Sequence, residues 1–144
     1  MPSFGRRDQK VEALRAVPLF AKLSKRELGE IARRADEVGL DAGETLTVEG
    51  MVGRQLYFLA RGTAVVRRSG RKIAELGDGD VIGEMSLLDG EPASATVTLT
   101  SPATLLVMTR SDFSALLDAA PGLARKLLVT MARRLREADK HIVC

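Results

Sequence analysis

The stretch Gly83-Glu84-Met85-Ser86-Leu87-Leu88-Asp89-Gly90-Glu91-Pro92-Ala93-Ser94-Ala95-Thr96-Val97 decides the reading of this chain. It has the composition of a turn, one short helical turn and a return to strand. Gly83 permits close backbone approach, and from Glu84 a helix can begin whose first amides have no partner inside the helix. Such amides attract an anion. A carboxylate at the same place can accept hydrogen bonds from sugar hydroxyls. The plain alternative is a turn followed by a helix start, where glutamate is favoured by the helix dipole alone.

Outward from this stretch the chain alternates with a period of two. Thr45-Leu46-Thr47-Val48 alternates polar and apolar, and Glu49-Gly50 follows as a turn. Leu56 to Ala60 and Thr63 to Val66 read as strands separated by Arg61-Gly62. Arg67-Arg68-Ser69-Gly70-Arg71 reads as a polar hairpin tip, and Lys72 to Leu76 as the returning strand. Gly77-Asp78-Gly79-Asp80 is a tight turn. Thr96 to Thr100 alternates, and Ala103 to Met108 is a buried strand bounded by Pro102. Short strands punctuated by glycine argue for an antiparallel sandwich or jelly roll.

Both ends read as helix. Val11, Leu14 and Val17 recur at helical spacing until Pro18 interrupts. Ser24 with Glu27 three residues on forms a capping box, and the helix it opens places Leu28, Ile31, Ala32 and Ala35 on one face, with Gly39 just past its end. Near the other end, Ser111 is a cap for a helix through Phe113, Leu116 and Leu117, closed by Pro121-Gly122. A final helix runs from about Leu123 to Asp139. The expectation is an α+β fold: an antiparallel β jelly-roll barrel flanked by N-terminal and C-terminal helices. Residues 1–144 form a single domain on this reading, with helices over 11–36, the barrel over 37–109 and helices over 110–140.

Composition narrows the function. Hydrophobic residues are 45% of the chain, enough for one core and against disorder. A net charge of +3 leaves the choice of partner open. No run approaches the about 18 apolar residues of a membrane span, and no apolar run follows the basic residues Arg6, Arg7 and Lys10, so a cytoplasmic, membrane-free protein without a signal peptide is expected. His141 and Cys144 are the sole histidine and cysteine, too few for a zinc site, for an intramolecular disulfide or for a serine–histidine–aspartate arrangement. His141 reads as a solvated tail residue and Cys144 as an exposed terminal thiol. Neither an enzyme nor a bound cofactor or metal is expected. The scarcity of aromatic residues removes stacking platforms for single-stranded nucleic acid.

The segment 83–97 resembles the phosphate-binding cassette of cyclic-nucleotide-binding domains, a family that includes catabolite activator proteins and protein kinase A regulatory subunits. Gly83-Glu84, Leu87, Pro92, Ser94-Ala95 and Val97 carry the resemblance. Val17-Pro18-Leu19-Phe20 with Leu23-Ser24, Gly43-Glu44, Glu49-Gly50, Gly62 and Leu76-Gly77-Asp78-Gly79-Asp80 extend it over nearly the whole chain. The resemblance implies that Glu84 accepts from the ribose 2′-hydroxyl. It implies also that the amides of Met85, Ser94 and Ala95, next to Gly83 and the Ser94 hydroxyl, lie near the cyclic phosphate, with Val65 in the apolar floor under the base. The ligand implied is cAMP on family frequency, and cGMP stays open because Ser94 is compatible with either purine.

One position departs from the pattern. The family arginine that pairs with the phosphate falls on Ala93. A charge-assisted hydrogen bond contributes about 1.5–3 kcal/mol, so its loss weakens binding roughly tenfold to over a hundredfold. Arg61 or a hairpin arginine is the available substitute. Three readings follow: a stand-alone sensor of weakened affinity that signals to a protein partner through its C-terminal helices, a ligand-independent interaction domain with a degenerate cassette, and a pocket retuned for another small anion.

The final helix has two readings as well. Ala124, Leu128, Met131, Leu135 and Ala138 form a heptad-like stripe, which can pair two copies in a homodimer or pack on the chain's own barrel. Its basic face, Arg125, Lys126, Arg133, Arg134 and Arg136, reads as solvated. Relatives of the activator type place a helix-turn-helix after this helix. The sequence stops at Cys144, so sequence-specific DNA binding is not expected.

Overall fold

A computed structural model describes residues 14–15 and 20–142. The side chains of residues 84, 130, 134, 135 and 137–142 lie outside the described residues. So do the expectations placed on residues 11–13, 17–19, His141 and Cys144.

The capping box forms as its spacing requires. Ser24 Oγ accepts from the Glu27 amide at 3.1 Å, and the Ser24 amide donates to Glu27 Oε1 at 3.1 Å. Helix α1 (Lys25–Arg34) follows, burying Leu28, Ile31 and Ala32. Gly39 lies beyond the helix end, inside a strand rather than at a cap. The chain leaves the helix at Ala35, which is extended, and β1 (Asp36–Leu40) begins at once.

Seven more strands follow: β2 (Thr45–Thr47), β3 (Gln55–Arg61), β4 (Ala64–Arg68), β5 (Arg71–Leu76), β6 (Val81–Ile82), β7 (Thr96–Leu99) and β8 (Ala103–Thr109). Between β6 and β7 lies the short helix α2 (Glu84–Asp89), and after β8 come α3 (Arg110–Ala119) and α4 (Pro121–Ile142). The strands form two antiparallel four-stranded sheets, ordered β1-β8-β3-β6 and β2-β7-β4-β5. The α+β class with flanking helices is as the sequence indicates, but the sheets do not close into a barrel. Edge strands β6 and β2, of two and three residues, are too short to join one sheet to the other.

The β3–β8 pair is the partition on which both cores rest. Leu59, Ile82 and Leu105 face the other sheet and meet Ala64, Val97 and Leu99. Leu56, Phe58, Leu106 and Met108 face the opposite way and meet Phe20, Ile31, Phe113, Leu116 and Leu123. Phe20 and Phe58 cross edge to face with centroids 4.8 Å apart. Burial on both faces is why β3 and β8 read as continuous apolar runs instead of alternating ones.

Three local readings are corrected. The hairpin tip contracts to Ser69-Gly70, both at positive φ (53° and 79°), because Arg67 and Arg68 complete β4 and Arg71 opens β5. Thr109, not Ser111, caps α3, its hydroxyl accepting from the Asp112 amide at 3.2 Å. Pro121 does not close that helix. It occupies the first position of α4, where a missing amide hydrogen costs nothing. Among the described residues no helix is long and apolar enough to cross a membrane.

Candidate functional site

Strand β6 delivers the chain to Gly83, whose left-handed conformation (φ 91°) turns it directly into α2. A Cβ here would sit 2.9 Å from the Gln55 carbonyl oxygen, so glycine is required both by φ and by contact with β3. The far end of the helix is closed twice over. Gly90 donates its amide to the Ser86 carbonyl at 2.9 Å, and Arg110 Nη2 donates to the same oxygen at 3.2 Å. The buried Ser86 hydroxyl donates to the Glu91 carbonyl at 2.7 Å, and the Asp89 carboxylate accepts from the Glu91 amide at 2.8 Å. These bonds fold 84–91 into one unit.

The return segment is fastened to the loop after β2. The Ala93 amide donates to the Met51 carbonyl at 2.8 Å, and the Gly50 amide donates to the Ala93 carbonyl at 2.9 Å. Thr47 Oγ1 donates to the Ala95 carbonyl at 3.1 Å. The β4–β5 hairpin then leans over from the other side. Arg68 Nε donates to the Ser94 carbonyl at 3.0 Å, and the Ser69 amide donates to Glu49 Oε1 at 2.9 Å.

A cavity of about 150 Å³ opens between these parts. Its rim is Gly83, Met85, Ser86 and Ala93 to Ala95, and its floor is Thr47, Val66, Leu76, Val81, Ile82 and Val97. The floor is almost wholly apolar and suits a flat ring system, while the rim carries backbone and hydroxyl groups. None of these lining residues is charged.

Gly83, Met85, Ser94 and Ala95, four of the residues singled out in the sequence, line one cavity. Glu84 is the first residue of α2, and its side chain lies outside the described residues. Val65 does not join them. Val66, paired with Val97, takes the floor position, whereas Val65 is paired with Thr98 and belongs to the other face of β4. Of the arginines considered as substitutes for position 93, Arg61 ends β3 at the opposite end from Gln55, about 20 Å away at ~3.3 Å per residue. Arg68 is the one bonded to the cassette. Its reach is a tertiary contact that no local spacing encodes.

A second, larger groove of about 440 Å³ runs between the 48–54 loop and β3, with Val48, Met51 and Val52 exposed on it. Tyr57 lines it and donates to Gln55 Oε1 at 3.0 Å, and burial pushes its phenol pKa up. Among the described residues no three His, Cys, Asp or Glu side chains gather to hold a metal ion.

Residues 37–120, more than half of the chain, match the cyclic nucleotide-binding domain family. The chain belongs to that family. As a cyclic nucleotide-binding domain it is 34% identical over 134 residues to the cyclic AMP receptor protein of Thermus thermophilus, covering 90% of this chain and 62% of that protein. It is 36% identical over 119 residues to a cyclic nucleotide-gated potassium channel of Rhizobium etli, covering 83% of this chain and 33% of the channel. The chain thus spans between a third and three fifths of the length of these relatives. The crystal structure of the Thermus thermophilus catabolite activator protein superposes with a TM-score of 0.81 at 35% identity, over 87% of this chain and 61% of that one. The N-terminal domain of a Streptomyces coelicolor A3(2) transcriptional regulator superposes with a TM-score of 0.70 at 36% identity, over 90% and 93%.

The contact at Gly83 gives a test of the site's construction. Gly83→Ala must accept a strained left-handed backbone, costing about 1–2 kcal/mol, and push the Gln55 carbonyl away as well. Gly70→Ala, with positive φ but open space around it, pays the backbone term alone. Urea unfolding is expected to show the larger loss for Gly83→Ala, and equal losses would contradict the close packing of α2 on β3.

Proposed function

We propose that the domain is a regulatory sensor that binds cAMP in the cavity beneath α2 and reports occupancy to a protein partner through α3 and α4. The observation that carries this reading is the cavity itself, in which the cassette forms the rim over a floor of aliphatic side chains. One relative is the cyclic AMP receptor protein of Thermus thermophilus, which favours cAMP over cGMP. Glu84, at the head of α2, is the proposed acceptor for the ribose hydroxyl, and the amides of Met85, Ser94 and Ala95 face the phosphate, with Gly83 giving room for both.

The absence of arginine at position 93 sets the affinity. Losing one charge-assisted hydrogen bond removes about 1.5–3 kcal/mol, so binding is expected to be weaker by about ten- to a hundredfold than with an arginine there. Ala93 lines the cavity and its backbone is pinned on both sides, so an arginine side chain introduced there starts from a fixed point on the wall. Ala93 on the cavity wall, where the family carries its arginine, favours a second reading, in which the domain keeps its shape and acts on its partner without a ligand.

The route to the C-terminal helices is short. Arg110, the first residue of α3, holds the end of α2, and α4 follows α3 after a single residue, Ala120. On α4, Leu123 and Leu127 are buried against the domain while Leu128 is 71% exposed and Val129 46% exposed. The outward stripe through Leu128 is the proposed contact between two copies in a homodimer.

Two measurements test these proposals. Calorimetric titration of the native protein with cAMP and cGMP is expected to show cAMP binding, tightened about ten- to a hundredfold by Ala93→Arg. No heat from the native protein, with binding gained by Ala93→Arg, would establish the ligand-independent reading. Sedimentation of the native protein is expected to show a dimer that Leu128→Glu converts to monomer, and a native monomer would leave that stripe without the role proposed.

A further inference from the structure

A cyclic phosphate held in this cavity carries one negative charge, and among the described residues none that lines the cavity supplies a positive one. An anion moved out of water without a cation is costly. A cation on a side chain anchored to the cavity wall would offset that cost. Two arginines are anchored in this way. Arg110 is bonded to the Ser86 carbonyl, at the end of α2 remote from Gly83, where it completes the helix terminus together with the Gly90 amide. Arg68 is bonded through Nε to the carbonyl of Ser94, a residue of the rim and the neighbour of Ala93.

We infer that Arg68 is the phosphate-binding cation of this domain, supplied from the β4–β5 hairpin in place of the cassette arginine. The inference rests on the reading of the cavity as a cyclic nucleotide site. A guanidinium carries five N–H donors in a rigid fork, and the Ser94 carbonyl takes one of them. The remaining donors and the charge are held beside the rim and match two phosphate oxygens at once.

The hairpin that carries Arg68 is itself held in register. Ser69 donates its amide to Glu49 Oε1, and the Glu49 amide donates to Thr96 Oγ1 at 2.9 Å, so the hairpin tip and the return segment share one support. On the partner strand Arg67 is opposite Thr96 and Val66 opposite Val97. The strand that provides the cavity floor through Val66 thus brings the cation two residues later. Because Arg68 is exposed, it leaves the fold intact when removed, and it sits where salt can screen it.

The test is calorimetric titration of cAMP into the native protein, Arg68→Ala, Arg68→Lys and the double variant Arg68→Ala/Ala93→Arg, each at low and high salt, with circular dichroism melts to confirm folding. Arg68→Ala is expected to lose about tenfold or more in affinity and to flatten the salt dependence. Arg68→Lys should keep most of the affinity, and the arginine at 93 should restore what Arg68→Ala loses. Unchanged affinity in folded Arg68→Ala would overturn the inference while leaving the cavity reading in place. A loss with the native salt dependence retained would also overturn it, since it would make Arg68 a support for the Ser94 carbonyl only. Absence of binding by the native protein would remove the nucleotide reading and this inference together.

Discussion

The site exists because the backbone of Gly83 lies against β3. At that point α2 approaches the Gln55 carbonyl closely enough that even one Cβ would be 2.9 Å from it. This contact seats the short helix at the edge of the β1-β8-β3-β6 sheet and turns its first residues over the opening between the two sheets. The β3–β8 partition is what makes the seat firm. Its strands are packed on both faces, so Gln55, at the head of β3, sits on a backbone that has little freedom to yield.

A division of labour follows. The aliphatic floor is part of the inter-sheet core, with Ile82 and Val97 common to both. A flat apolar ligand group would extend that core, and the polar rim would orient what is attached to it. The rim is built from turns tied by the backbone bonds between the 50–51 turn and Ala93, by the Ser86 hydroxyl on the Glu91 carbonyl, and by Arg68 and Arg110 on the Ser94 and Ser86 carbonyls. Such a rim is ordered in advance, and a preorganised site spends less of the binding energy on ordering. The same bonds join the cassette to the C-terminal helices through Arg110, giving an occupied cavity a mechanical connection to α3. Ligand shifts such a connection only to the extent that it favours one arrangement over the other.

Much of this was legible in the sequence where the signal is local. The Ser24–Glu27 box, the turn residues between strands and the order of the cassette residues each encode a structure within a few positions. Position 93 shows its departure at sight. What could not be read is the parity of β4. Whether Val65 or Val66 faces inward follows from the pairing of β4 with β7, strands far apart in sequence, which sets Val66 opposite Val97, and a one-residue slip of that register would exchange the faces. Thr109 and Ser111 both have hydroxyls suited to a cap, and the last residue of β8 wins because the helix starts at Arg110, ahead of its first apolar residue, Phe113. The contact from Arg68 to Ser94 spans 26 residues and joins the end of β4 to the segment before β7. It follows from the fold and not from any motif.

The central claim is that the cavity beneath α2 is where a cyclic nucleotide is held. The most direct measurement is the change in backbone amide resonances of the labelled native protein on addition of cAMP. The account predicts the largest shifts at Gly83, Met85, Ser94, Ala95 and Val66, with Val65 and Arg61 far less affected. Shifts centred instead on Met51, Val52 and Tyr57 of the second groove, or no shifts at saturating nucleotide, would contradict it.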